Sequence, residues 1–281
     1  MKNFVKQLIK KITLLVWSFI SRSSDDFTVR VLMFHDIPTH KHEQFELLLN
    51  KLSERWDFIS PDEFENYLKG KFHLNRNSLL ITFDDGFHSN YHVAINILPK
   101  FGIKAIFFIV YKFLNITNSL EAREFISTNI YKEHRLDQID SSWVNMTPEQ
   151  VFDLVKLGHK IGAHTLTHAR LSKVLSLKTK REEIIDCGRL LEIHFGIKVD
   201  HFAYTFGDFE AFDKASAKFA SERYPYIYSG LRGNVVDHTS KIIPRDPVES
   251  DCDIVELNLI LSGAYDFIYK NKLRVLNGYV Q

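Results

Sequence analysis

The sequence predicts an α/β fold in which a parallel sheet curls into a distorted (β/α)7-type barrel, and three observations lead to this. Short apolar runs alternate with amphipathic helical segments from about residue 29 to residue 263. Most of these runs are nearly continuous in apolar residues, as expected for buried parallel strands. No internal repeat or low-complexity linker interrupts them, and 281 residues suit a single barrel domain, which we place at residues 26–281.

The first part of the chain supplies four of the predicted strands and the helices between them. The strands are expected at Val29–His35, Phe58–Ile59, Ser78–Phe83 and Lys104–Val110. One helix is expected around Leu48, and a capping box beginning at Ser60 opens a second that runs to about Leu68. A third should end at Gly102, because glycine terminates helices readily.

The later part of the chain continues the alternation after a polar interval at residues 115–145. We expect this interval to be a long surface excursion that shapes a cleft. Further strands are predicted at Lys160–Ala163, His201–Tyr204, Tyr226–Ser229 and Lys241–Ile243. Helices are predicted from a capping box at Thr147 to Gly158, before Gly196, near Ala211–Ala220, and lastly at Ile254–Leu261.

Residues 1–25 form a separate basic amphipathic segment. Its lysines, Lys2, Lys6 and Lys10, recur at helical spacing, and its apolar side chains fall on another side. The apolar run is too short to span a bilayer, so we favour a helix lying in the membrane interface over a signal peptide. A helix packed on the domain remains an alternative. This favours a cytoplasmic protein or one bound peripherally at the inner membrane, with an exported form still open.

Composition excludes several classes of function. The net charge of +1 offers no general attraction for nucleic acid, so no nucleic-acid partner is expected. The two cysteines, Cys187 and Cys252, are too few for a disulfide framework or a zinc knuckle. The 23 Phe and 11 Tyr are explained first as core residues and second as a surface for sugar rings.

Two pairs of polar residues follow predicted strands, where parallel α/β folds gather their catalytic groups. Asp84 and Asp85 follow one strand, and His164 and His168 follow another. Either pair alone has an ordinary explanation, a turn or two surface histidines. Together, two imidazoles and one carboxylate can hold a divalent cation with positions left for water and substrate. The spare carboxylate then favours hydrolysis, since an attacking water needs a base.

Three stretches of the sequence resemble the signature motifs of the polysaccharide deacetylases, carbohydrate esterase family 4 with its NodB-homology domain. They occur in the family's order, and the likeness extends over roughly residues 29–263. The stretches are Leu80–Phe87 (LITFDDGF), Ile161–His168 (IGAHTLTH) with Leu171 after it, and Phe202–Gly207 (FAYTFG).

The resemblance implies a role for each matching position. Asp84 would be the general base, and the cation would be bound by Asp85, His164 and His168. The backbone N–H of Phe206 would help to hold the oxyanion. The family usually has proline where this chain has Thr205, which leaves the backbone geometry there to be established, because proline fixes φ and threonine does not.

The general acid departs from the commonest family pattern. The C-terminal region around Gly263 lacks the usual histidine, but Val31–His35 (VLMFH) resembles the first strand of a circularly permuted branch. That branch includes deacetylases of exported poly-N-acetylglucosamine and takes its acid histidine from this strand, so His35 would be the acid. Arg245 resembles a late arginine that orients the base; an exposed ion pair is the alternative.

These implications give the expected function. It is metal-dependent removal of N-acetyl, less readily O-acetyl, groups from an acetylated glycan or a lipid-linked saccharide. Zinc is the default cation, with Co, Ni, Mn or Fe as alternatives. Two other functions remain open: a glycan-binding pseudoenzyme on the same barrel, and an amidohydrolase acting on a small amide.

Overall fold

A computed structural model describes residues 27–235 and 241–280 and confirms the predicted parallel α/β fold. The strands are β1 (Val29–Phe34), β2 (Asp57–Phe58), β3 (Ser78–Phe83), β4 (Ile106–Ile109), β5 (Lys160–Ala163), β6 (His201–Ala203), β7 (Tyr226–Tyr228), β8 (Ile242–Ile243) and β9 (Asp246–Pro247). Their order across the sheet is β8-β7-β6-β5-β4-β3-β1-β9, and β2 pairs with the beginning of β3. Every ladder between these strands is parallel.

One interrupted strand makes the sheet curl back on itself. Only Pro244 and Arg245 separate β8 from β9, yet β8 pairs with β7 and β9 pairs with β1 at the opposite end of the sheet. The segment 242–247 therefore contacts both ends. Counted as one position beside β1, β3, β4, β5, β6 and β7, it gives the seven positions of a distorted barrel.

Helices surround the sheet. They are α1 (His42–Ser53), α2 (Pro61–Leu68), α3 (His88–Asn96), α4 (Tyr111–Leu114), α5 (Ser119–Phe125), α6 (Pro148–Lys156), α7 (Leu177–Arg181), α8 (Cys187–Phe195), α9 (Lys214–Arg223), α10 (Ile254–Leu261) and α11 (Asp266–Asn277). The predicted capping boxes are present at Ser60 and Thr147, each with Pro at the first helical position.

One expectation about the helices was wrong, and the description of the interval 115–145 was incomplete. α10 is not the last helix, because α11 follows it after Gly263. The interval 115–145 is more than a surface loop: it contains α5 and a π-helical turn, Ile126–Ile130. Ala122, Ile126 and Ile130 are buried at helical spacing in a small core of their own, which intervening polar residues concealed in the sequence.

Alternation along the strands separates two apolar layers. Leu32, Ile81 and Phe107 belong to the large core between sheet and helices. Their neighbours, such as Leu80 and Phe108, belong to a smaller cluster within the barrel, which includes Phe64 of α2. The inward row of β3 continues from Leu80 to polar side chains at its carboxyl end, and polar side chains from the neighbouring strand ends meet there.

The N-terminal segment 1–25 lies outside the described residues, so the proposed interfacial helix stays a prediction. Among the residues that the structure describes, no helix is both long enough and apolar enough to cross a membrane.

Candidate metal centre and active site

The structure brings the predicted site residues to one end of the barrel. His35 follows β1, Asp84 and Asp85 follow β3, and His164 follows β5. Strands that run parallel place their carboxyl ends at the same edge. The remaining members approach from the following loops or strands; they are His168, Phe206 and Arg245.

Asp85, His164 and His168 form a buried triad. Asp85 Oδ1 lies 3.5 Å from His164 Nε2 and 3.2 Å from His168 Nε2. Their candidate ligand atoms all lie within 4.8 Å of one another, and it is the one such group of three or more in residues 27–235 and 241–280. All three side chains are at most 5% exposed.

Backbone carbonyls fix the protons on both histidines. His164 Nδ1 lies 2.9 Å from the carbonyl oxygen of Ala203, and His168 Nδ1 lies 2.7 Å from that of Asn129. A carbonyl oxygen only accepts, so each Nδ1 carries a hydrogen and donates it. In the neutral imidazoles, each Nε2 then has a lone pair directed toward Asp85.

This donor set fits a divalent cation. Neither oxygen of Asp85 has a hydrogen-bond partner, although the side chain is 1% exposed. With both imidazoles neutral, three acceptor atoms converge in a buried space, which is unfavourable unless a cation joins them. Two imidazole nitrogens and one carboxylate oxygen suit zinc and its first-row neighbours, with the two Nδ1–H···O=C bonds orienting the rings.

The backbone at this site is strained. Asp85, Thr165, His168 and Phe206 have φ between 60° and 72°, and within the described residues they are the only non-glycine residues at positive φ. Such conformations each cost about 1–3 kcal/mol and persist where the surrounding structure enforces them. Their concentration around the triad is typical of a functional site.

Asp84 has a different environment from its neighbour Asp85. Arg245 donates two hydrogen bonds to it, Nη1 to Oδ1 at 2.6 Å and Nη2 to Oδ2 at 2.8 Å. Burial raises the pKa of the Asp84 carboxyl, but the charges of Arg245 and His164 outweigh burial and hold this pKa below its ordinary value. Asp84 is therefore an anion near neutral pH.

Arg245 is itself fully buried, unlike the exposed ion pair considered as an alternative from the sequence. Its Nε donates to the carbonyl oxygen of Ser229, and its guanidinium lies 5.1 Å from the ring of Phe108. The arginine therefore holds Asp84 from inside the barrel.

Phe206 lies against the triad in the loop after β6. Its ring centroid is 4.8 Å from that of His168, and the Arg170 guanidinium lies 4.3 Å from the same ring. Thr205, where the family usually has proline, is buried, and its hydroxyl donates to the carbonyl oxygen of Ala169 at 2.6 Å. Thr205 thus ties this loop to the loop that carries His168.

His35 completes the set at the end of β1. Its side chain is half-buried, and its charge is one of the contributions that lower the pKa values of Asp84 and Asp85, which burial alone would raise. His35 therefore lies within electrostatic range of both carboxylates.

Sequence reasoning missed the groups contributed by the interval 115–145. Asn129 accepts from His168 through its carbonyl and donates its side-chain amide to the Thr167 carbonyl at 2.9 Å. Tyr131 lies close enough to the site for the charge of Asp85 to act on it: burial and this charge both raise the pKa of its hydroxyl. A backbone carbonyl that orients a metal ligand leaves no signal in the sequence. The aromatic residues Tyr131 and Trp143, however, could have indicated the cleft.

Comparison of the sequence with known proteins leads to one family. The sequence model of the family described as polysaccharide deacetylase matches residues 72–226. A curated relative from Bacillus subtilis (strain 168), YxkH, carries the polysaccharide deacetylase name and is 23% identical over 225 residues, covering 76% of this chain and 71% of its own.

Two solved structures share the fold. IcaB from Ammonifex degensii has a TM-score of 0.64 and 20% identity, covering 85% of this chain and 97% of IcaB. The deacetylase PplD of Streptococcus pyogenes, solved in complex with acetate, has a TM-score of 0.65 and 17% identity, covering 84% and 99% of the two chains. With more than half of its length matched by the family's sequence model, this chain belongs to the polysaccharide deacetylase family, hydrolases that act on carbon–nitrogen bonds of acetylated glycans.

Proposed function

We propose that this protein removes N-acetyl groups from an amino-sugar-containing glycan at a divalent cation, by default zinc, held by Asp85, His164 and His168. The observation that carries the proposal is the buried convergence of three acceptor atoms beside a second, separately held carboxylate. The acetate bound to PplD, a protein of the same fold, supports acetate as the product.

Asp84 is the proposed general base. A cation at the triad would polarise the acetamide carbonyl and acidify a water. Asp84 is anionic, and its Oδ2 lies 3.8 Å from His164 Nε2. The carboxylate would therefore be next to a water that attacks the carbonyl carbon. Its task is to accept the proton as the oxygen of water bonds to the carbonyl carbon.

His35 and Phe206 are proposed to serve the later part of the reaction. The backbone N–H of Phe206 would stabilise negative charge on the carbonyl oxygen. His35, when protonated, would donate to the nitrogen as the carbon–nitrogen bond breaks, which yields acetate and a free amine. Because one group must be deprotonated and the other protonated, activity should follow a bell-shaped pH profile.

Half-buried aromatic rings support a sugar substrate over a compact amide. Tyr131 and Trp143 are half-buried, their ring centroids lie 5.3 Å apart, and both pack against Phe87, which is fully buried. The half-buried Phe206 ring lies beside His168, with centroids 4.8 Å apart. Such faces cover the apolar sides of sugar rings. We further propose an acetylated glycan or a lipid-linked saccharide as the substrate, and a peripheral membrane contact through residues 1–25.

The test compares the two adjacent carboxylates. Acetate release from acetylated chito-oligosaccharides and bound metal are measured for the unmodified protein, Asp84→Asn and Asp85→Asn. We expect Asp84→Asn to keep its metal while losing about 10²–10⁴-fold in kcat, and Asp85→Asn to lose both. Strong residual turnover in Asp84→Asn contradicts its role as base. Metal binding without acetate release by the unmodified protein supports the glycan-binding pseudoenzyme instead.

A further inference from the structure

Two histidines outside the candidate active site share one face of α3. His88 and His92 are four residues apart, which places them one above the other on the helix. Their Nε2 atoms lie 2.9 Å apart, and the two rings are nearly perpendicular, at 88°, with centroids 4.6 Å apart. Both side chains are half-buried, so solvent reaches the pair.

Hydrogen bonds fix the proton on His88. The backbone N–H of Thr147 donates to Gln150 Oε1 at 3.0 Å, which identifies that atom as the amide oxygen. His88 Nδ1 lies 3.0 Å from the same oxygen and must donate to it. In the neutral ring, His88 Nε2 therefore has its lone pair directed at His92 Nε2.

The imidazole of His92 supplies the second nitrogen of the pair. Burial lowers the pKa of its imidazole, and the neighbouring His88 and His42 lower it further. A neutral His92 can either donate Nε2–H to His88 or, with its hydrogen on Nδ1, direct a second lone pair at the same point. The second arrangement is that of a two-histidine ligand pair.

The spacing of the pair is close to that required by a cation. Zinc–nitrogen bonds of about 2.0–2.1 Å in tetrahedral geometry separate two ligand nitrogens by about 3.3 Å. The observed 2.9 Å needs to widen by only a few tenths of an ångström, which small side-chain rotations supply. Water would occupy the other coordination positions on the exposed side.

We propose that His88 and His92 form a second cation site, independent of the Asp85 triad, for a borderline Lewis acid such as Zn²⁺, Ni²⁺ or Cu²⁺. Imidazole pairs favour these ions over Mg²⁺ or Ca²⁺, which prefer oxygen ligands. Gln150 orients His88 for this purpose in the manner of an outer-shell partner. Because His88 also donates its backbone N–H to the Val144 carbonyl, the ion would lie where α3 meets the interval 115–145.

The experiment uses the full chain stripped with a chelator and titrated with Zn²⁺ alone by calorimetry. The unmodified protein should show two binding events, the first at the triad that contains Asp85 and the second at His88 and His92. His88→Gln and His92→Gln should each weaken the second event by at least about 10-fold, because a chelating pair becomes a single ligand, and should leave the first unchanged. Asp85→Asn should remove the first event and leave the second.

Exposed His73 supplies the matched control, since His73→Gln removes a histidine without an i+4 partner. It should retain both events. Thermal unfolding verifies that each variant is folded, and glutamine is a good helix former at both positions of α3. The proposal is overturned if only the Asp85-dependent event occurs, if the second event survives in both α3 variants, or if Asp85→Asn also removes it. If the unmodified protein shows the event at His88 and His92 but no Asp85-dependent event, that result counts against the proposed function and leaves this inference intact.

Discussion

Asp84 and Asp85 show how adjacent residues of one type acquire different chemistry. Asp84 receives two hydrogen bonds from Arg245, whereas neither oxygen of Asp85 receives any. Both carboxylates approach His164 Nε2, Asp84 at 3.8 Å and Asp85 at 3.5 Å, but of the two Arg245 donates only to Asp84. Environments that differ in this way are what assign separate roles to paired carboxylates.

His35→Gln tests the proposed general acid. Turnover should fall by about 10²–10⁴-fold, and the high-pH limb of the kcat/KM profile should disappear, because that limb reports loss of the acid's proton. The bound metal should be unchanged, since His35 is outside the triad. A variant that keeps the high-pH limb of the unmodified protein would show that another group donates the proton.

Arg245→Met tests how the base is held ionised. Removing the guanidinium should raise the pKa of Asp84, because its charge is the largest influence that opposes burial. Asp84 must be deprotonated to act, so the low-pH limb of kcat/KM should move to higher pH. Arg245→Lys keeps the charge but not the paired hydrogen bonds and should move it less. An unmoved limb in Arg245→Met would separate Arg245 from the function of the base.

At the scale of elements, the segment between β4 and α6 contributes to the candidate active site. The π-helical turn Ile126–Ile130 brings the Asn129 carbonyl to His168 and precedes Tyr131. π-Helical turns are rare and frequently lie at functional sites. An element that contains no proposed metal ligand therefore fixes the orientation of one.

A buried histidine next to the β4–β5 pair should make the free energy of unfolding depend on pH. His159, just before β5, is buried, and its Nδ1 accepts from the Ala105 backbone N–H before β4. Burial lowers the pKa of His159 to about 4. The unfolded chain binds a proton at this imidazole more readily than the folded protein does. The stability due to neutral His159 is therefore complete above about pH 6.5 and falls as the pH is lowered toward 4, by at most about 3 kcal/mol.

His159→Asn checks this dependence by urea unfolding at several values between pH 4 and pH 7. Asparagine can accept the same N–H through its side-chain oxygen but does not titrate, so its free energy of unfolding should fall less toward pH 4. His73→Asn, at an exposed position, should follow the unmodified protein. If the free energy of unfolding of His159→Asn falls as much as that of the unmodified protein, His159 does not cause the pH dependence between pH 4 and pH 7.

At the scale of the whole molecule, a buried charge cluster joins the first strand to the end of the chain. Arg30 of β1 bonds Asp246 of β9 at 2.7 and 2.8 Å and Asp266 of α11 at 2.9 and 3.0 Å. Arg30 and Asp246 are fully buried. The cluster therefore connects β1 to the interrupted strand that makes the sheet curl.

Arg30→Met should lower the free energy of unfolding by about 3–5 kcal/mol, because it leaves the carboxylate of Asp246 buried without its main partner. Adding Asp246→Asn to this variant should recover part of the loss. Arg76→Met removes an ion pair whose partners are 45% and 44% exposed and should cost less than about 1 kcal/mol. Equal losses for the buried and the exposed arginine would show that the cluster does not stabilise the barrel.

Much of this architecture follows from local patterns. Apolar runs predicted β1, β3 and β4 to within one or two residues, since buried parallel strands are bounded by polar residues. The capping boxes at Ser60 and Thr147 fixed two helix starts, because the capping contacts lie within four residues. β8 was predicted within the strand at Lys241–Ile243, but β9 was missed, since two residues are too few to show a period. α11 was missed although it has twelve residues, because it buries only Leu276 and so shows no apolar stripe.

For this protein, the order of residues alone determined the fold class and placed the chemistry-bearing side chains after particular strands, because parallel strands align their carboxyl ends. Only the tertiary structure decided that Arg245 is buried against Asp84 and that the carbonyls of Asn129 and Ala203 orient the two histidines. Every residue has a carbonyl, so sequence cannot indicate which one meets a side chain about 40 positions away. That choice is made by packing.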